Sequence, residues 1–262
     1  MQTFFLKLGG SLITDKEKPF TPNLPMLTAL AQEIKISYAD GQSYRLVLGH
    51  GSGSFGHQAA KKHGTRQGVK TRKEWFGFLE VWKQARALNQ IVIDTFTNAG
   101  LPVLSFPPVS AVISQSGKVG SWDVTPIRHA LEHRLIPVIY GDVIFDDQLN
   151  GTILSTEDLF LGLADQILPD RVLIAGIEPG VWKDYPQCTE ILTEITPNTL
   201  RDQHLQGSAA VDVTGGMAEK VKLMQNLVQY HSELEVQIFS GTRAQDVRYV
   251  LEGERRGTWI HS

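Results

Sequence analysis

Cysteine is nearly absent: Cys188 is alone in 262 residues, which excludes an internal disulfide framework and any multi-cysteine zinc site. Long apolar runs are also missing. Spanning a bilayer takes about 18 consecutive apolar residues, and even the greasiest stretch, RLIPVIYGDVIF (134–145), is broken by proline, glycine and charge. No membrane partner is expected. Charge of one sign is lacking too, since 25 Lys and Arg against 28 Asp and Glu leave a net −3. That balance offers no polybasic surface for a nucleic-acid backbone, so none is expected as partner. A hydrophobic content of 42% excludes a disordered chain. There is no internal repeat and no low-complexity linker. The N-terminal TFFLKL reads as a strand without a leader's basic and apolar regions, and the expected compartment is the reducing cytoplasm.

What is present is alternation. Short, continuously apolar runs (4–8, 45–49, 102–106, 137–141, 171–177 and 236–241) are separated by helix-periodic stretches at 24–39, 74–98, 124–134, 157–167, 216–231 and 243–252. Strands alternating with helices predict an α/β fold, a mostly parallel sheet covered on both faces. Two segments, 110–122 and 144–155, place Ser116-Gly117 and Asn150-Gly151 between strand-like arms, which predicts β-hairpin excursions from that sheet. A soft boundary at Pro169-Asp170 divides residues 1–168 from 169–262 on one continuous sheet.

Three glycine-bearing turns carry the chemistry. The first strand ends in Lys7-Leu8-Gly9-Gly10-Ser11, with Lys16 beyond it. Paired glycines expose backbone N–H groups, the serine adds a hydroxyl, and Lys7 adds a compact cation, a combination suited to phosphate oxygens. The second turn, Gly49-His50-Gly51-Ser52-Gly53-Ser54-Phe55-Gly56-His57, precedes a helix expected over 57–63. Gly51, Gly53 and Gly56 match the dinucleotide pattern G-x-G-x-x-G, but the acid that should confirm it, Glu74, falls in the polar stretch KTRKEW rather than at a strand end. What survives is an anion site at a helix N-terminus, with His57 at its mouth. The third turn is Asp212-Val213-Thr214-Gly215-Gly216-Met217-Ala218-Glu219-Lys220, where a hydroxyl, a glycine pair and a lysine again converge.

In this order the three clusters resemble the amino acid kinase family. Within it, the Gly53-Ser54-Phe55-Gly56-His57 ending, Lys16 and Tyr140-Gly141-Asp142-Val143 look most like the isopentenyl phosphate kinase branch. The resemblance implies an open αβα sandwich, with an acceptor lobe (1–168) and an ATP lobe (169–262), and direct phosphoryl transfer from ATP with Mg2+ to a small phosphorylated acceptor, by a homodimer. It assigns Lys7, Lys16, Lys220 and an acid to catalysis. Gly10, Ser11, Gly53, Ser54, Gly56 and His57 fall to the acceptor; Gly9, Gly180, Thr214, Gly215, Gly216 and Lys220 fall to ATP. The family's Ser-Gly-Asp run is replaced by Ser155-Thr156-Glu157-Asp158, so the expected lysine-orienting acid is Glu157, with Asp158, one residue out of register, as the alternative. Ser52 stands where relatives often have glycine, and the nucleoside-side loop 176–182 has lost its usual acids. An isoprenoid tail would need an apolar pocket, for which Phe76, Leu79 and Trp82 offer a helical stripe. Fosfomycin as acceptor, a dinucleotide oxidoreductase and a silent nucleotide-binding regulator remain alternatives at this level.

Overall fold

The computed structural model describes residues 1–15, 17–38, 44–197, 199 and 215–262, without the side chain of His57. In chain order the strands are β1 (Gln2–Leu8), β2 (Tyr44–His50), β3 (Val103–Ser105), β4 (Val112–Gln115), β5 (Lys118–Trp122), β6 (Ile136–Tyr140), β7 (Asp142–Asp146), β8 (Asn150–Leu154), β9 (Arg171–Gly176), β10 (Val181–Trp182), β11 (Ile191–Leu192), β12 (Glu194–Ile195), β13 (Glu235–Ser240) and β14 (Thr258–Ile260). The described helices are α1 (Gly10–Ile13), α2 (Leu24–Ser37), α3 (Gly53–His63), α4 (Arg72–Asn98), α5 (Thr125–Glu132), α6 (Thr156–Ala164), α7 (Gly215–Tyr230) and α8 (Asp246–Leu251).

The main sheet runs β12-β14-β13-β9-β1-β2-β6-β3. Its pairings are parallel except β13 with β14. β1 lies near the middle, held by β2 on one side and β9 on the other. The chain fills one half of the sheet and then crosses to the other at β9, so the strand order reverses between β1 and β9. In open α/β sheets the crevice beyond the strand C-termini at such a reversal is where ligands bind. Strands from either side of residues 168 and 169 pair in this one sheet.

Apolar residues occupy both faces. On one, Phe4, Leu6 and Leu8 of β1 join Leu27, Leu30 and Ile34 of α2, Leu88, Val92 and Phe96 of α4, and Val247 and Val250 of α8. On the other, Phe5 joins Leu131 of α5, Phe160 and Leu163 of α6, and Met224 and Leu227 of α7. Side chains alternate along a strand, so Lys7 shares its face with Phe5 and looks toward α6 and α7.

A second sheet, β5-β4-β7-β8, contains both hairpins. Ser116 and Gly117 form the first turn, with positive φ at both. The second turn is displaced from its expected place. Asp146 pairs with Asn150 and Phe145 with Gly151, so Asn150-Gly151 lies inside β8 and residues 147–149 make the loop. The Asp146 carboxylate decides this, because it accepts N–H bonds from Gln148 and Leu149 in one loop and from Ser116 and Gly117 in the other, together with the Ser114 hydroxyl. The helix expected over 57–63 also begins earlier, at Gly53.

Candidate active site

Lys7, the penultimate residue of β1, is 5% exposed, and Glu157 in the first turn of α6 is 3% exposed. Their side chains form an ion pair. The start of α6 is fixed by a capping box: Ser155 Oγ accepts the Asp158 N–H at 3.1 Å while the Asp158 carboxylate accepts the Ser155 N–H at 2.8 Å. Asp158 is thereby engaged with its own helix end, and Glu157 is left to face Lys7. Thr156 locks the same corner, donating to the His50 carbonyl at 2.6 Å and accepting the Gly141 N–H at 3.1 Å. Burial pushes the Glu157 carboxyl up, but the Lys7 ammonium and then that of Lys220 outweigh it and hold the group below the ordinary glutamate range. The carboxylate therefore feels both lysines singled out in the sequence.

The first two glycine turns touch each other. A Cβ on Gly10 would stand 2.5 Å from the Gly53 backbone nitrogen, and one on Gly51 would stand 2.8 Å from that of Gly10. Gly53 has φ +48°. The glycines thus serve the close approach of two backbones, a use that motif reading did not anticipate. The Thr14 hydroxyl bridges the turns, donating to the Gly10 carbonyl at 2.7 Å and accepting the Ser54 N–H at 3.0 Å. Ser52 has φ −78°, which a serine adopts without strain. Its side chain fills the space where a Cβ on Gly56 would lie, at 2.6 Å.

These turns open into a cavity of about 640 Å³. Its walls include Lys7, Gly9, Gly10, Ser11, Gly53, Ser54, Gly56 and Glu157, with Gly216 and Lys220 from α7. Residues far apart in the chain thus share one cleft. His57 lies on α3, and Gly215 opens α7. Lys16, Thr214 and the His57 side chain lie outside the described residues. Among the described residues no three His, Cys, Asp or Glu side chains are grouped to hold a metal.

Two expectations fail on geometry. Gly180 is not among the cavity-lining residues, and a Cβ there would lie 2.7 Å from Thr258 Oγ1, while Gly176, Ile177 and Glu178 of the same loop line the cavity. The Phe76, Leu79 and Trp82 stripe is out of phase. Phe76 is 61% and Leu79 51% exposed, and Trp82 is half-buried beside Phe78 and Val81. The inward face of α4 runs through Phe78, Val81, Ala85 and Leu88, spaced 3, 4 and 3 as a helix requires. Val81 and Ala85, with Ala60 and Ile153, give the cavity its apolar end. Val81 and Ala85 are thus the buried positions of α4 that line the cavity.

The amino acid kinase family model matches residues 2–240. The chain belongs to the amino acid kinase family. Similar members include the isopentenyl phosphate kinase of Methanocaldococcus jannaschii, 32% identical with 97% of each chain covered. That of Haloferax volcanii is 33% identical over 85% of this chain and 87% of its own. A crystal structure of isopentenyl phosphate kinase superposes with a TM-score of 0.84 at 26% identity, covering 98% of this chain and 99% of the other. The amino acid kinase architecture expected from the sequence, a mostly parallel sheet between helical layers, is the one observed.

Proposed function

We propose that the chain is an ATP-dependent kinase that phosphorylates isopentenyl phosphate to isopentenyl diphosphate. The observation that carries the proposal is the buried Lys7–Glu157 pair at the junction of the glycine turns and α7. Beside it the cavity has an apolar extension from Val81, Ala85, Ala60 and Ile153, fitted to a hydrocarbon tail. Full-length similarity to relatives named isopentenyl phosphate kinase supports the same reading. A short polar acceptor such as fosfomycin would leave that apolar end unfilled.

In the transfer, an oxygen of the acceptor's phosphate attacks the γ-phosphorus of ATP, the bond to the β,γ-bridging oxygen breaks, and ADP leaves with that electron pair. The attacking oxygen is already ionised, so no general base is needed. What is needed is compensation for two anions brought together. Lys7 neutralises the moving phosphoryl group from the acceptor side and Lys220 from the α7 side, while Glu157 holds the Lys7 ammonium in place. Lys16 and His57 are assigned to the acceptor's phosphate, as are Gly10, Ser11, Gly53, Ser54 and Gly56. Gly9, Thr214, Gly215 and Gly216 are assigned to the phosphates of ATP. The division at residues 168 and 169 into acceptor and ATP lobes is part of the proposal, as are a homodimer and a cytoplasmic location.

Mg2+ belongs to the same reading. With no carboxylate cluster among the described residues, the ion would be held chiefly by nucleotide phosphates and water, the usual arrangement for this cation. Glu157 Oε1, buried without a hydrogen-bond partner among the described residues, is a protein oxygen available to that shell. Bound there, the ion would supply charge neutralisation.

The test is ATP consumption with isopentenyl phosphate, dimethylallyl phosphate, geranyl phosphate and fosfomycin. Turnover is expected with the first two. Turnover with fosfomycin alone, or tight NAD(P)H binding without kinase activity, would replace this reading.

A further inference from the structure

The Tyr140-Gly141-Asp142-Val143 segment contains a residue that the proposed reaction leaves unused. Asp142 begins β7 at 1% exposure and lines the cavity. Its Oδ1 accepts the Val143 N–H at 2.8 Å, and its Oδ2 has no hydrogen-bond partner among the described residues. Six buried side-chain nitrogen or oxygen atoms among the described residues lack partners, and three of them, Ser54 Oγ, Asp142 Oδ2 and Glu157 Oε1, belong to cavity-lining residues. Buried polar atoms are rarely left unpaired, so their concentration here points to partners supplied by the bound molecule.

The surroundings decide which form of the carboxyl is present. Tyr140 and Arg86 are electrostatically linked to this corner, and His50 stacks on Tyr140 at 5.3 Å between ring centroids. Lys7 is paired with Glu157 through Oε2. Among the described residues no cation forms an ion pair with Asp142, and burial pushes its carboxyl up to about 8. At neutral pH it is mostly the neutral acid. Since Oδ1 accepts a backbone N–H, the proton resides on Oδ2, which makes that oxygen a donor. A carboxylate would repel a phosphate; a carboxylic acid binds one.

We propose that Asp142 is an acceptor-binding residue whose Oδ2 hydroxyl donates a hydrogen bond to the phosphate of the bound monophosphate. The proposal rests on the kinase reading above. Wild-type turnover of isopentenyl phosphate is therefore measured first, and its absence would sink that reading whatever Asp142 does. Asp142→Asn, which can turn an N–H toward the cavity, is expected to keep the acceptor KM within about threefold. Asp142→Leu is expected to raise it about tenfold or more, the effect of losing a hydrogen bond to a charged group, with the KM for ATP unchanged. An unchanged acceptor KM in a folded Asp142→Leu protein, or an Asn variant as impaired as the Leu variant, would overturn the assignment. Should Asp142→Leu fail to fold, infrared difference spectra serve instead. Isopentenyl phosphate should shift a protonated-carboxyl C=O band in the wild type that Asp142→Asn lacks. A band that is absent or unmoved would refute the proposal.

Discussion

Replacing Glu157 by glutamine removes one negative charge and little volume from a site where both members of an ion pair are almost fully buried. Removing one partner of a buried pair costs about 3–5 kcal/mol when the other is left dry. Here the cavity admits water to the Lys7 side and the amide oxygen can still accept from its ammonium, so a stability loss of about 3 kcal/mol or less is expected. The kinetic cost is of another kind. Without the carboxylate between them, the Lys7 and Lys220 charges repel, and a misplacement of the order of 1 Å at a reacting centre is worth about 100-fold. We expect Glu157→Gln to lower kcat about 100-fold, with kcat/KM falling in parallel as for a group acting in the transition state. Asp158→Asn is the matched control. It weakens the capping box with Ser155 and should cost about 1 kcal/mol of stability with turnover nearly unchanged. The assay is steady-state kinetics at saturating ATP on variants whose urea melts show them folded. Full turnover in Glu157→Gln, or loss of turnover in Asp158→Asn alone, would refute the assignment of the orienting carboxylate.

Val81→Phe, projecting into the apolar end of the cavity, should raise the KM for isopentenyl phosphate at least tenfold, about the worth of one good apolar contact, while Phe76→Ala and Leu79→Ala leave it unchanged. The reverse pattern in the same kinetics would restore the exposed stripe as the tail site. Burial opposes ionisation of Asp146, but N–H bonds from Gly117, Leu149 and Gln148 and the Ser114 hydroxyl hold its carboxyl well below the usual range. A depressed native value contributes stability above the unfolded pKa of about 3.9. That contribution is lost as pH falls through the native value, so the melting temperature of Asp146→Ala should approach that of wild type under strong acid, and a gap independent of pH would contradict the argument. At neutral pH the substitution should cost about 3 kcal/mol, since several donors lose a charged acceptor. His57→Ala should raise the acceptor KM by an amount equivalent to about 1.5–3 kcal/mol, with His57→Gln milder; an effect confined to ATP would reverse the lobe assignment.

The sequence by itself determined the alternation of strands and helices, the parallel central sheet and the first two glycine turns. These are local facts: apolar continuity over five or six residues, helical period, and glycine after a strand. It also narrowed the orienting acid to two neighbours. What it left open depends on direction and distance. Glu157 and Asp158 differ by one position on a helix, and a capping bond from Ser155 assigns one to the backbone and the other to Lys7. Phe76 and Phe78 are equally apolar, but α4 packs so that Phe78 is buried and Phe76 faces out, because the phase of a helix is set by what it packs against. Gly10 and Gly53, 43 residues apart, read as separate phosphate turns; only the approach of their backbones shows that each also makes room for the other. The sequence marks Asp142 only as part of the Tyr140-Gly141-Asp142-Val143 run. The upward push on its carboxyl comes from burial, a property of the surrounding packing that no local pattern encodes.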